Sequence, residues 1–398
     1  MATQKGKVKL RTGESYRPKE DRFMYRWTDV NGKRHSVYAS TIGELREKEQ
    51  LIQRDILNGV IHTDMTVADL YTKWIKLKVN LKPNTLYSYQ ALYTNHIEPQ
   101  FGKKRISDIR KSDVREYCVE LVHQNYSAGA IKRIVAVLRQ MFELAVDDDQ
   151  LLKNPASRVL TGILPEAKKK EGLTVDEERE LFQFAAKDTP RRMTYLIMCI
   201  LVKTGLRIGE FCALTWNDVD LETRRISITK TMVVVPQTKP IQLIIGTPKT
   251  KTSLRTIPIC SDTVDDFLQL KALVDSYHIT QPAVVDGYTD FCCMTPQGEA
   301  ASPISITNKI AYMAKKCNKY LLQRDGEDSL QIKKMAAHTL RHTFATRMYE
   351  AGADPKATQS IMGHATIIMT MDVYTDATEA KTRQALELMV TQSNIQKI

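Results

Sequence analysis

The sequence predicts a multidomain chain, mainly α-helical with small antiparallel β elements. Three observations carry this. The chain has 398 residues, too many for one ordinary core. An alternating stretch, Arg22 to Asp29, runs into Asn31-Gly32, a strong hairpin turn signal. From about 63 to 165 apolar residues recur at three and four positions, the amphipathic-helix period, and Ile-, Val- and Thr-rich runs between about 225 and 259 read as strands. The expected division is a β-sheet-plus-helix domain over 1–62, a helical bundle over 63–165, a linker over 166–172 and an α-rich domain with a small β-sheet over 173–398.

In the first segment Phe23, Tyr25 and Trp27 alternate with Arg22, Met24 and Arg26, so one face is aromatic and the other basic. A second strand is expected over Lys33 to Ala39. Thr41 then caps a helix, with Glu44 completing a capping box and Gly59 closing it. Arg22, Arg26, Lys33 and Arg34 crowd the strands. They read either as a basic ribbon shaped for a DNA major groove or as a solvated outer face.

In the second segment Thr66 opens a helix carrying Leu70, Trp74, Ile75 and Leu77. Another begins near Asn84-Thr85, and Pro99 and Gly102 break the pattern. Ser112 opens a third and Ser127 a fourth. Lys103, Lys104, Arg105, Lys132 and Arg133 are candidate phosphate contacts, against the alternative that each is an ordinary surface charge. Asn154-Pro155 and Pro165 to Gly172 read as linker.

The third segment opens with an acidic-capped helix, Thr174 to Lys187, then a buried helix from about Arg191 to Thr204. Arg225 to Val235, Gln242 to Thr247 and Ser253 to Ile259 read as strands. From Asp262 onward the chain is mostly helical with irregular breaks.

Composition narrows the partners. With 42% hydrophobic and 26% charged residues the chain reads as a soluble globular protein. A formal charge of +12 favours a polyanion, most often nucleic acid. Seven cysteines, without C-x-x-C, argue for a reduced cytoplasmic chain without disulfides or structural zinc. The first residues lack the apolar core of a signal peptide, and the longest apolar run, Tyr195 to Val202, is too short for a bilayer.

Five polar residues suggest chemistry: Arg207 in T-G-L-R-I-G-E, His338 and Arg341 in H-T-L-R-H, His364 in M-G-H-A, and Tyr374 in D-V-Y-T. Two guanidiniums can clamp a phosphodiester and stabilise extra charge on it. Imidazoles can move or donate protons. A phenol can attack once a base and a positive pocket lower its cost of ionisation. Each has a plainer reading: Arg207 as an ion pair with Glu210, His364 as a helix-terminal cap, Tyr374 as a core residue. His338 and His342 have a spacing that could hold zinc, but Thr339 stands where a metalloprotease needs Glu and no third ligand is evident. Metal and other cofactors are therefore not expected. No Walker-type loop is present, so no nucleotide is implied.

The order T-G-L-R-I-G-E, lysine-bearing hairpin, H-x-x-R-H, G-H, then Tyr ten residues later resembles the tyrosine recombinase (phage integrase) family. The whole chain looks most like the integrases of bacterial conjugative transposons. The resemblance implies an arm-type DNA-binding domain, a core-binding domain and a tyrosine recombinase catalytic domain. It implies Arg207, Lys251, His338, Arg341, His364 and the nucleophile Tyr374 as catalytic residues, with Glu210 orienting Arg207. Lys249 competes with Lys251 in the stretch G-T-P-K-T-K-T-S-L-R-T-I-P. The implied function is integration and excision of a mobile element through a 3′-phosphotyrosyl intermediate and a Holliday junction. The implied partners are double-stranded DNA, three further copies of the chain, and accessory factors such as an excisionase or a DNA-bending protein. The apolar stripe between Ala385 and Val390 suits a tail helix docked on a neighbouring subunit or on its own domain. A DNA-binding protein that has lost catalysis and a chromosome-dimer resolvase are the competing readings.

Overall fold

The computed structural model describes residues 9–28, 32, 34–58, 64–166, 171–236, 238, 241–247, 251–364 and 366–367, without the side chain of Lys251. The chain forms two compact units, Met1–Lys168 and Lys169–Ile398.

The first unit contains two separate hydrophobic cores. The smaller belongs to an antiparallel sheet of β1 (Glu14–Arg17), β2 (Arg22–Thr28) and β3 (Arg34–Ala39), in that order. Helix α1 (Ile42–Leu57) covers one face, burying Leu45 and Ile52 against Phe23, Tyr25 and Ala39. The register pairs Arg22 with Arg17, Arg26 with Ser36 and Thr28 with Arg34. By strand alternation these basic residues share the face away from α1. Met24 lies on that face too, yet is buried, between Ser15 and Tyr38 in the register. Thr41 accepts from the Glu44 N–H at 3.2 Å, but the Glu44 carboxylate accepts from Ser40 at 3.4 Å rather than from Thr41. Lys33 and Gly59 lie outside the described residues.

The larger core joins α2 (Val67–Lys76), α3 (Pro83–Leu92), α4 (Glu98–Phe101), α5 (Lys111–His123) and α6 (Ala128–Asp147). It is built on Leu70, Trp74, Ile97, Phe101, Leu138 and Phe142. Several expectations change here. Leu77 caps α2 and is exposed. Pro99 does not break the helix. A π turn over Tyr93–Ile97, closed by the Glu98 N–H on the Tyr93 carbonyl, joins α3 to α4; Pro99 falls in the first turn of α4, where a proline is tolerated, and the break comes at Gly102. The α5 helix starts one residue before Ser112, with Asp113 accepting the Arg110 N–H at 2.8 Å. Asn154-Pro155 is no linker. The Asn154 amide donates to the Arg139 carbonyl at 2.9 Å and its oxygen accepts from Ala156 at 2.9 Å, so Ala156 and Val159 enter the core.

The second unit contains α7 (Val175–Lys187), α8 (Arg192–Thr204), α9 (Ile208–Cys212), α10 (Ser261–Asp275), α11 (Pro303–Asp325), α12 (Ala337–Glu350) and α13 (Pro355–Met362). Thr174 and Glu177 cap α7 reciprocally, at 3.1 and 2.8 Å. Helix α8 is apolar nearly all round and packs against α10 and α12. The single strand expected from Arg225 to Val235 is two, β5 (Arg225–Ile228) and β6 (Thr231–Val235). Between them Lys230 turns inward, its ammonium on the Asp218 carboxylate and 5.0 Å from the centre of the Tyr288 ring. Strand β5 lies between β4 (Val219–Asp220) and β8 (Arg255–Pro258), whereas β6 pairs with β7 (Gln242–Gly246). Among the described residues this unit thus has two small antiparallel sheets where one was expected. Among the described residues no helix is long and apolar enough to cross a membrane.

Candidate active site

The site forms where the end of α8, the start of α9, β8, α12 and the end of α13 meet. Helix α8 stops at Gly205, whose φ of 63° suits a residue without Cβ, and a Cβ there would run into the Phe344 ring. Two residues on, Arg207 occupies the N-cap position of α9. Its backbone N–H donates to Glu210 Oε2 at 3.0 Å and its Nη1 donates to Glu210 Oε1 at 2.7 Å. Its Nη2 donates to the Gly363 carbonyl at 3.0 Å. About a third of the side chain stays exposed, at 35%. Ion pairing and phosphate binding are therefore compatible at Arg207, because the pair fixes the fork while N–H groups remain over.

Arg341 comes from the interior of α12 and is 1% exposed. Nη1 donates to the Gly205 carbonyl at 2.5 Å and Nη2 to the Met362 carbonyl at 2.6 Å. Burial first, then the charge of Arg207, pushes its pKa down to about 9, opposed by Glu210. It remains a cation at neutral pH. A buried cation bonded to neutral carbonyls gains from an arriving anion.

Arg255, on β8, was not singled out from the sequence, yet it is central. Its Nε donates to the Ile361 carbonyl at 2.6 Å, and its Nη1 and Nη2 meet Glu210 at 3.2 and 2.9 Å. Three guanidiniums thus converge on consecutive carbonyls at the C-terminus of α13: Arg255 on Ile361, Arg341 on Met362 and Arg207 on Gly363. These are carbonyls a helix end leaves without intrahelical partners, and cations suit the negative pole there. Burial tends to raise the Glu210 pKa, but hydrogen bonds and charge from Arg255 and Arg207 hold it below the usual carboxylate range.

His364 follows directly, after Gly363 at φ 62°. Its N–H donates to the Gln359 carbonyl at 3.2 Å, and the Gln359 amide returns a bond to its carbonyl at 3.1 Å. Burial, then Arg341, Arg207, His338 and His342, pushes the imidazole pKa down to about 4. It is neutral at physiological pH, and a neutral imidazole carries one N–H donor. His338 is exposed one turn before Arg341, edge-on to His342 with ring centres 4.6 Å apart. Among the described residues no group of three His, Cys, Asp or Glu could hold a metal.

The backbone of Lys251 lies in a 3-10 turn leading into β8. Tyr374, Lys249 and the tail from Asp376 to Ile398 lie outside the described residues. In the first unit Arg22, Arg26 and Arg34 are exposed on the sheet face away from α1. Lys103, Lys104, Lys132 and Arg133 are exposed as well, Lys104 lying 5.2 Å from the Phe101 ring centre. Arg105 is paired with Asp64 at 3.0 Å.

Guanidiniums paired at a helix end, with a neutral imidazole directly after it, suit the binding of an oxyanion such as a phosphodiester. Three family models match in series: the DNA binding domain of Tn916 integrase over 3–56, the phage integrase N-terminal SAM-like domain over 66–122, and the phage integrase family over 171–381. The transposase from transposon Tn1545 of Streptococcus pneumoniae is 32% identical over 390 residues, covering 94% of this chain and 93% of that one. The transposase from Tn916 of Enterococcus faecalis is 32% identical, covering 93% and 92%. The Tn1549 transposon integrase, solved in complex with transposon right end DNA, superposes with a TM-score of 0.72 at 30% identity, over 82% of this chain and 100% of that one. The chain belongs to the phage integrase family, on the branch of the conjugative-transposon integrases, and is a tyrosine-type recombinase.

Proposed function

We propose that the protein is a site-specific DNA recombinase that excises and integrates a mobile element, working in the cytoplasm as a tetramer on two duplexes. The observation that carries this is the convergence of Arg207 and Arg341 on the end of α13, with neutral His364 immediately after it. The likeness to the Tn1549 integrase, solved with transposon DNA, supports the choice of substrate. We divide the chain into an arm-binding domain over 1–62, a core-binding domain over 63–165 and a catalytic domain over 173–398. The three serial family matches and the two separate cores of the first unit support that division.

In this reading the two guanidiniums hold the non-bridging oxygens of the scissile phosphate, and the N–H of His364 adds a neutral donor. Tyr374 attacks phosphorus, losing its proton toward His338. The bond to the 5′ oxygen breaks, and that oxygen leaves as a hydroxyl with a proton from Lys251. The 3′-phosphotyrosyl bond conserves the energy needed for rejoining, so ATP is not required. Exposed Arg22, Arg26 and Arg34 hold arm-site DNA, and Lys103, Lys104, Lys132 and Arg133 hold core-site phosphates.

The test is excision in vitro. A supercoiled plasmid carrying both element ends is incubated with purified protein and a DNA-bending accessory protein in EDTA. Circular element and resealed donor without nucleotide are the expected products. Protein that binds both ends but leaves them intact in EDTA and in Mg²⁺ would contradict the proposal.

A further inference from the structure

Each arginine that grips the end of α13 is buried or pinned, but only two have a role in the reaction as read above. The side chain of the third, Arg255, is 6% exposed and bonded in three directions. It reaches Ile361 in α13, Glu210 in α9, and the Ser253 carbonyl at 3.1 Å in the turn that carries Lys251. Gly363 is shaped around it, because a Cβ there would fall 2.7 Å from Arg255 Nη1 and 3.0 Å from Cζ. Glu210, itself 3% exposed, is held by Arg207 on one side and Arg255 on the other.

We infer that Arg255 is a positioning residue that keeps Glu210 ionised and in place, and so sets Arg207, the His364 loop and the lysine turn in one geometry. This rests on the recombinase reading. The effect is electrostatic. A carboxylate this deep costs several kcal/mol to keep charged unless its partners remain. The charged groups facing Glu210 are Arg207 at the start of its own helix, Arg255 from β8 and, at longer range, Arg341 from α12. His364, beyond α13, is neutral. Without Arg255 the desolvation of Glu210 is opposed chiefly by one partly exposed arginine. The carboxyl then takes a proton at higher pH, and a neutral carboxyl accepts poorly from Arg207. The fork swings free, and the Ile361 and Ser253 carbonyls lose their donor.

The test measures single-turnover cleavage of a nicked duplex carrying the element end, from pH 5.5 to 9, with mobility shift for binding. The full chain is used as wild type, Arg255→Met, Arg255→Lys and Arg255→Met with Glu210→Gln. Arg255→Met should lose at least about 30-fold in cleavage, as for an oriented donor, while binding changes less than about threefold. Its loss should deepen as pH falls, since Glu210 protonates. The added Glu210→Gln should flatten that acid limb, because the group that titrates is gone. Arg255→Lys keeps the charge but not the fork, and should recover part of the rate with a wild-type pH profile. Arg255→Met with wild-type rate and profile would overturn the inference. So would an equal, pH-independent loss in Arg255→Met and Arg255→Lys, which would make Arg255 merely structural. If Arg255→Met does not fold, Arg255→Lys cleaving at the wild-type rate would overturn it alone. Wild type that binds but never cleaves would instead sink the recombinase reading on which this stands.

Discussion

Arg341 donates to the carbonyl of Gly205 at 2.5 Å, two residues before Arg207 in the chain. The second clamp is therefore built on the turn that presents the first. The bond couples α12 to that turn, and a lysine's single ammonium lacks the planar fork that reaches Gly205 and Met362 from separate nitrogens. Arg341→Lys should keep DNA binding within a fewfold and lower single-turnover cleavage by about 100- to 1,000-fold. Rates and mobility shifts measured side by side check this.

Arg207 is the more exposed clamp, so its replacement should spare the fold. Arg207→Lys keeps a cation beside the buried Glu210 carboxylate, so the chain should still fold with its thermal midpoint lowered by only a few degrees, yet cleavage should fall by about 100-fold or more. Calorimetry and the cleavage assay decide together. Undiminished cleavage would make Arg207 a structural ion pair with Glu210.

Gly205 has two reasons to be glycine, a φ of 63° and the Phe344 ring where a Cβ would go. Gly205→Ala should cost about 1–2 kcal/mol from the backbone alone and more from the ring. For a unit of this size the thermal midpoint should drop by about 4–8 °C. An unchanged midpoint would show that the turn relaxes freely.

His364 carries a pH signature. Its folded pKa, about 4, lies below the ordinary value of 6.5. Between these two values the unfolded chain binds a proton that the folded chain refuses. Its contribution is fully present above pH 6.5 and is lost as pH falls toward 4. The stability difference between wild type and His364→Gln, from urea titrations at pH 7.5 and 4.5, should shift against wild type at the lower pH by about 1–3 kcal/mol. A pH-independent difference would mean His364 is not buried neutral.

Much of this arrangement was legible because the informative residues sit in short words. T-G-L-R-I-G-E holds a helix stop, a clamp and its orienting carboxylate within seven residues, and H-T-L-R-H places two side chains on one helical turn. The caps at Thr66, Thr174 and Ser127 are equally local. What escaped depends on distant partners. Arg255 meets Glu210 across 45 residues and Ile361 across 106, and R-T-I-P alone reads only as an edge of sheet. Lys230 splits a continuous β-branched run by reaching Asp218 and Tyr288, which no periodicity reveals. Asn154-Pro155 has linker composition but folds back onto α6 through one amide.

Covalent catalysis by Tyr374 within the arginine pair lies at the centre of the proposed mechanism. The most direct measurement uses a nicked suicide duplex carrying the element end, incubated in EDTA with wild type or Tyr374→Phe and run on a denaturing gel. A protein–DNA adduct from wild type only, with the adduct peptide mapping to Tyr374, is the predicted result. An adduct that survives Tyr374→Phe, or none from wild type that demonstrably binds the duplex, would contradict it.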